Sequence, residues 1–539
     1  MGVLFTLFDG VRPGFPVDLG TPLPDPVFNV DGRANVRRVE PRNTPTVINA
    51  VFNFTNFWDG RANPHFNGVN AFGDQDQAQT TVIRVNRPGT GLVPERVSLA
   101  NASLASQALA PVPSSVEMSF GNPAQGNGRR LREVGLKLLR RSPQTGVPLT
   151  PLGLQRVHRR DSVLGTLANA PFPGLNTSYE TMIKKAFAEQ YWNSTERIPL
   201  ASIPNGTEEF TQMEANFGLF FGLAVALYQS TLVADQTPFD QWMEAGRFNE
   251  GFRKTALAGL NLFVNQGRCI TCHAGPELTK ASVRNAQGGE NLIRAMAMAE
   301  GTSLYDNGFY NVSVTPTTDD PGRGDVDSFG QPLAFARQAL FDRLADRLGT
   351  ATINFPILGN DQIPARDEDL GSPVCEDANA NGVCEPSETI LPGFQRVAVD
   401  GAFKTPGLRN TELTGPYFHN GGMATLRQVV QFYNRGGNFC SFNVRDMDPS
   451  IQPIGLTDAQ EKQLVAFLVS LTDERVKHQK APFDHPELRV PEDGLDTPGT
   501  REIKAVGARG SHRPLRTFLR LDPNDAIFTP IGVCSRDRS

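Results

Sequence analysis

"RCITCH", residues 268–273, sets Cys269 and Cys272 two residues apart with His273 directly behind them. No cysteine precedes this pair in the chain. The spacing C-x-x-C-H is the attachment signal of c-type haem. Two thiols so placed can add to the two vinyl groups of one porphyrin, and the next residue can turn its imidazole onto the iron as proximal ligand. The rival reading is a zinc knuckle. It needs a second Cys/His pair at ligand spacing, and none stands nearby. Working outward, "NEGFRKTALAGLNLFVNQG" at 249–267 has helical periodicity and runs into the motif, so it predicts a helix that walls one side of a haem pocket.

Three further stretches predict helices. "LREVGLKLLRRSP" at 131–143 repeats leucine and valine at near-helical spacing. "EEFTQMEANFGLFFGLAVALYQSTLV" at 208–233 is the longest, and its apolar centre is too short to span a bilayer, so it reads as a buried helix. "LTDAQEKQLVAFLVSLTDE" at 456–474 opens on a capping box of Thr457 and Gln460 and presents Leu464, Phe467, Leu468 and Leu471 on one face. Strand signals are sparse, and residues 1–60 read mostly as loop. The 51 Gly and 41 Pro predict long connections between helices. The fold expected is mainly α. The length of 539 residues calls for two or three domains. Boundaries are expected at 1–245, 246–475 and a Pro- and charge-rich wrapping tail at 476–539. The formal net charge of −5 argues against nucleic acid as a partner.

The remaining cysteines are Cys375, Cys384, Cys440 and Cys534. An even number fits disulfides in an oxidising compartment, with Cys375–Cys384 and Cys440–Cys534 the pairs expected, and four free buried thiols the alternative. Haem c and disulfides together point to a periplasmic or extracellular location. "MGVLFTLFDGVRPG" lacks the basic start and apolar run of an export signal, which leads to the expectation of a removed signal or a truncated N-terminus. Residues 377–388, "DANANGVCEPSE", fit the EF-hand calcium loop. Asp377, Asn379 and Asn381 would give side-chain oxygens, Val383 its carbonyl and Glu388 a bidentate carboxylate. The loop reads as an insertion near 371–392, and its bland alternative is an Asn-rich surface turn.

Four long stretches, in this order, carry a family resemblance: "RNTPTVINAVFNFTNFWDGRA" at 42–62, "SLASQALAPVPSSVEM" at 103–118, "GLNLFVNQGRCITCHAGPELT" around the motif, and "FKTPGLRNTELTGPYFHNGGMATLRQVVQFYNRGG" at 403–437. Together they resemble the bacterial dihaem cytochrome c peroxidases, a family that includes the methylamine-dehydrogenase maturation enzymes. The resemblance implies two cytochrome c-like helical domains with long loops, each around one haem. One haem transfers electrons and the other meets hydrogen peroxide. The family's N-terminal domain has its own C-x-x-C-H, which this chain lacks. One haem c site is therefore expected here where a full-length family member has two.

Carried over residue by residue, the resemblance makes His273 the proximal ligand and Tyr433 the sixth ligand of the haem on Cys269 and Cys272, with Met423 and Met447 as competitors. For Tyr433 the alternative is a core tyrosine with its hydroxyl satisfied. Gln107 and Glu117 match the pair over the peroxide-binding haem. There a carboxylate can move a proton from one peroxide oxygen to the other, and Gln107 can hold the peroxide. Trp58 matches an aromatic relay between the haems. Asn43, with backbone carbonyls near Lys404–Pro406, matches a calcium site. The partners implied are hydrogen peroxide and a small electron donor, a cytochrome c or a cupredoxin; a homodimer is left open. Two rivals stand beside this reading: a single-haem electron-transfer protein without catalysis, and a related haem oxygenase or maturation enzyme.

Overall fold

The computed structural model describes residues 2–32, 34–76, 78, 82–121, 128–202, 206–287, 292–298, 301–340, 374–375, 390–391, 396–491, 500–526 and 534. The chain forms two compact units. The first comprises Met1–Asn43, Ala62–Ala234 and Glu474–Leu515; the second comprises Thr44–Arg61, Asp235–Asp473 and Arg516–Ser539.

In the first unit the core gathers Phe66, Ile83, Leu109, Leu131, Phe217 and Phe220. The helix Phe217–Ser230 packs on the short helix Ser103–Leu109. Glycine makes the approach close. A Cβ at Gly222 would lie 2.6 Å from the Phe66 ring, and one at Gly218 would lie 2.6 Å from the Gly68 carbonyl. The single helix expected over 208–233 is divided. Residues Thr207–Phe210 pair as a strand with Ile198–Ala201, and Thr211 then caps a one-turn helix, Gln212–Ala215, through a box with Glu214. Asn216 ends that turn because its side chain is engaged elsewhere: it accepts from the Arg84 N–H at 2.8 Å and donates to the Arg84 and Tyr191 carbonyls. Residues 1–60, read as loop, contain two short hairpins, Thr6–Gly10 with Leu19–Pro22 and Asn29–Val30 with Ala34–Asn35. Phe8 supplies the burial that stabilises the first, and one apolar residue is too little to mark a strand in sequence. Residues 474–515 join this unit through polar contacts. The Asp484 carboxylate accepts from the Ser162 N–H at 2.7 Å and from its hydroxyl at 2.6 Å, and Gln155 donates to the Glu487 carbonyl at 2.7 Å.

The second unit is built on the helices Lys254–Val264 and Asp458–Val469. They touch backbone to backbone at Gly259, where a Cβ would sit 2.0 Å from the Gln463 carbonyl oxygen. Phe263 and Phe467 stack their edges beside that contact, with centroids 5.1 Å apart. Thr457 caps the second helix, and Gln460 returns a bond to the Thr457 N–H at 2.9 Å, so the expected capping box is present. A third helix, Leu426–Asn434, has the same device in Thr425 and Gln428 and buries Leu426, Val430 and Phe432. Residues 44–61 are stitched into this unit: Phe54 N–H donates to the Ala281 carbonyl at 2.9 Å, and Lys404 N–H to the Trp58 carbonyl at 2.7 Å. Arg323 donates to the Asp59 carbonyl and pairs with Asp306 at 2.7 Å, with both charged side chains buried. Among the described residues, helices supply the main cores of both units. The strands form small antiparallel pairs and one three-stranded sheet.

Candidate haem site

The motif leaves the helix Lys254–Val264 through a tight turn. Arg268 adopts a left-handed conformation (φ 52°), and Cys269–Thr271 form one 3-10 turn. His273 N–H donates to the Cys269 carbonyl at 2.9 Å, so the turn places both thiols and the imidazole beside one another. Neither Cys269 nor Cys272 is in a disulfide. Burial pushes both thiols up to about 12, with the charge of Asp448 adding to the effect at Cys272, so they remain protonated thiols.

His273 Nδ1 lies 3.1 Å from the Leu278 carbonyl oxygen. A carbonyl can only accept, so Nδ1 carries the proton and Nε2 keeps its lone pair for a metal. Burial drives this imidazole down to about 4, against the hydrogen bonds to the Leu278 and Pro406 carbonyls. A neutral ring is the form that ligates. Cys269, Cys272, His273 and Tyr433 are all hemmed in by protein yet only half-buried to solvent.

Tyr433 lies in the last turn of the helix Leu426–Asn434 and comes to the same place. Burial raises its hydroxyl, and electrostatic coupling to the Cys272 and Cys269 sulfurs and to Asp448 adds to the effect. Its ring packs on Phe418 and Phe432, but its hydroxyl has no hydrogen-bond partner among the described residues. Tyr417 shows the contrast: its hydroxyl donates to the Thr411 carbonyl at 2.7 Å. Of the two methionines weighed against Tyr433, Met447 is packed in an apolar cluster with Cys440 and Ile451, and Met423 uses its carbonyl to accept from Tyr417 N–H. A pair of free thiols, an imidazole with Nε2 available and an unsatisfied phenol fit a haem c held by Cys269, Cys272 and His273.

Sequence reading missed two neighbours, Tyr310 and Asp448. Tyr310 is buried, and its hydroxyl is raised by burial and then by the charge of Cys272. Asp448, in "RDMDPS", is buried and accepts from the Ser450 N–H at 2.8 Å. Neither lies in a motif; their meeting is tertiary.

The other expected residues fall elsewhere. Gln107, on the helix Ser103–Leu109, and Glu117 lie in the first unit. The Gln107 side-chain oxygen is buried without a hydrogen-bond partner, and the Glu117 N–H donates to the Ser114 hydroxyl at 3.2 Å. Trp58 lies in the second unit, half-buried, and Asn43 ends the first segment of the first unit. The expected calcium ligands Asp377, Asn379, Asn381, Val383 and Glu388 lie outside the described residues. The strands before and after them, Val374–Cys375 and Ile390–Leu391, are paired antiparallel. Among the described residues no three His, Cys, Asp or Glu side chains gather as a metal site. Cys440 and Cys534 form a disulfide.

Residues 28–247 match the family model described as di-haem cytochrome c peroxidase. The cytochrome-c peroxidase IdrP1 of Denitromonas iodatirespirans is 27% identical over 272 residues, which is 50% of this chain and 52% of the relative. The methylamine utilization protein MauG of Methylophilus methylotrophus is 32% identical over 258 residues, 48% of each chain. The aligned stretch thus spans at most about half the length of these relatives. Among solved structures, the diheme peroxidase BthA of Burkholderia thailandensis is 16% identical, with 90% of this chain and 98% of that one covered at a TM-score of 0.33. Over residues 28–247, this chain is similar to the dihaem cytochrome c peroxidase family.

Proposed function

We propose that the chain is a haem c oxidoreductase of the dihaem cytochrome c peroxidase type, reducing hydrogen peroxide with electrons from a small cytochrome c or cupredoxin. The observation that carries it is the placement of Cys269, Cys272 and His273 in one turn, with Tyr433 near enough to interact electrostatically with both sulfurs. A haem c bound there supplies an iron that accepts and passes on single electrons. Cys269 and Cys272 would anchor it, His273, its tautomer fixed by the Leu278 carbonyl, would bind the iron, and Tyr433 would be a further ligand. In the first unit, Glu117 would move the proton between the peroxide oxygens and Gln107 would hold the peroxide by hydrogen bonds, over a peroxide-binding haem that would supply the iron and the electrons for O–O cleavage. A phenol ligand favours a low-potential iron, whereas methionine raises the potential. The Cys440–Cys534 disulfide supports an oxidising, periplasmic or extracellular setting. No helix among the described residues is long and apolar enough to cross a membrane.

A second reading, a single-haem electron carrier, is favoured by one observation: all six cysteines lie in the second unit. Haem content and peroxide turnover of the holoprotein with a reduced small cytochrome decide between the two. One haem with turnover abolished by Glu117→Gln supports peroxidase chemistry. One haem with no turnover supports the carrier.

A further inference from the structure

We propose that Pro523 and Asp525 at one end and Cys534 at the other hold the helix Leu426–Asn434 and so position Tyr433, with the Cys440–Cys534 disulfide as the covalent fastening. The inference rests on Tyr433 as the haem's sixth ligand and adds what keeps that ligand in place.

At the helix's start, Arg427 N–H donates to the Pro523 carbonyl at 2.9 Å, and the Thr425 hydroxyl donates to the Asp525 carbonyl at 2.6 Å. Arg427 N–H belongs to the first turn, whose amides have no acceptor within the helix. At the other end, Cys534 N–H donates to the Arg435 carbonyl at 3.0 Å, one of the carbonyls the last turn leaves free. Cys534 is also bonded to Cys440, and Cys440 N–H lies 3.1 Å from the Cys534 sulfur. Tyr433 and Cys534 both pack against the buried cluster of Cys440, Met447 and Ile451. Pro523 and Cys534 therefore satisfy backbone groups at the two ends of a single helix, and the covalent fastening at Cys534 lies in the cluster that receives the tyrosine.

The physical need is plain. A nine-residue helix is too short to persist on its own. Helix ends fray first, and Tyr433 stands in the last turn. A ligand on a fraying turn leaves the iron intermittently open. Pinning the Arg435 carbonyl and tethering Cys440 remove that freedom.

The test uses the purified holoprotein. Cys440→Ser, Cys534→Ser and the double variant are compared with the native chain by haem absorption, by electron paramagnetic resonance and by the rate of cyanide binding to the ferric haem. The double variant is expected to show a larger high-spin fraction and cyanide binding faster by about tenfold, the shift that a 1.4 kcal/mol change in closed population gives. Thr425→Val, which keeps the disulfide but loses both the helix cap and the bond to Asp525, is expected to move in the same direction, and Thr425→Ser to restore the native values. A folded double variant with native spectrum and rate overturns the proposal. If the double variant does not fold, the Thr425 pair decides: Thr425→Val with native values overturns it. Tyr433→Phe separates the two readings. An unchanged spectrum there removes Tyr433 as ligand. A changed spectrum beside an unaltered double variant removes only the fastening.

Discussion

The first unit contains Gln107 and Glu117 and no cysteine, whereas the second contains all six cysteines, His273 and Tyr433. Each has a polar atom in want of a partner where family resemblance predicts chemistry. In the first it is the buried side-chain oxygen of Gln107, and in the second it is the Tyr433 hydroxyl. Burying the Gln107 oxygen without a partner costs about 1–3 kcal/mol, whereas Tyr433 is only half-buried. The difference lies in the anchors. The second unit places thiols beside its orphan atom, and the first has no thiol with which to attach a haem. The residues proposed to move protons and those proposed to bind a haem covalently thus lie in two units with separate cores.

The strongest way to break this comparison is to remove the anchors. Replacing Cys269 and Cys272 by Ser together is expected to abolish covalent haem in the chain, read as loss of haem stain on a denaturing gel; a stain that survives would show attachment elsewhere. The proton chemistry comes next. In Glu117→Gln, peroxide turnover with a reduced small cytochrome is expected to fall about 10²- to 10⁴-fold while the haem stain persists. Turnover indifferent to Glu117 would move the chemistry into the second unit.

Packing sharpens the contrast at a smaller scale. Gly259→Ala forces a methyl group against the Gln463 carbonyl and is expected to cost about 1–3 kcal/mol, seen as a lowered midpoint when unfolding is followed by haem absorbance. Gly218→Ala, its counterpart against the Gly68 carbonyl, is expected to destabilise the first unit in circular dichroism and leave the haem transition in place. A haem transition that moves equally in both would show the two cores to be one cooperative body. The smallest effect is expected for Thr457→Ala, which removes the cap of the helix Asp458–Val469 at about 1 kcal/mol, measured by urea unfolding.

Much of the second unit was legible because its signals are local. The box of Thr457 and Gln460 links residues three apart, and the helix before the haem motif ends at Val264, close to where its periodicity stops. The first unit was less so. Its long apolar run conceals a strand, a cap and a break at Asn216, since the side chain of Asn216 answers to Arg84 and Tyr191 rather than to its neighbours in sequence.

By itself the sequence determined the haem motif. Cys269, Cys272 and His273 are brought together by a turn closed within five residues, and no distant contact is needed to form it. The tertiary structure alone decided what surrounds the motif. It brought Tyr433, Tyr310 and Asp448 to the thiols, placed residues 44–61 in the second unit and 474–515 in the first, and set Asp525 and Cys534 against the two ends of the helix that carries Tyr433. Those placements rest on backbone groups that find acceptors far along the chain, as Lys404 N–H does at Trp58 and Cys534 N–H at Arg435. A buried amide must be satisfied, but periodicity and spacing do not say by which distant carbonyl.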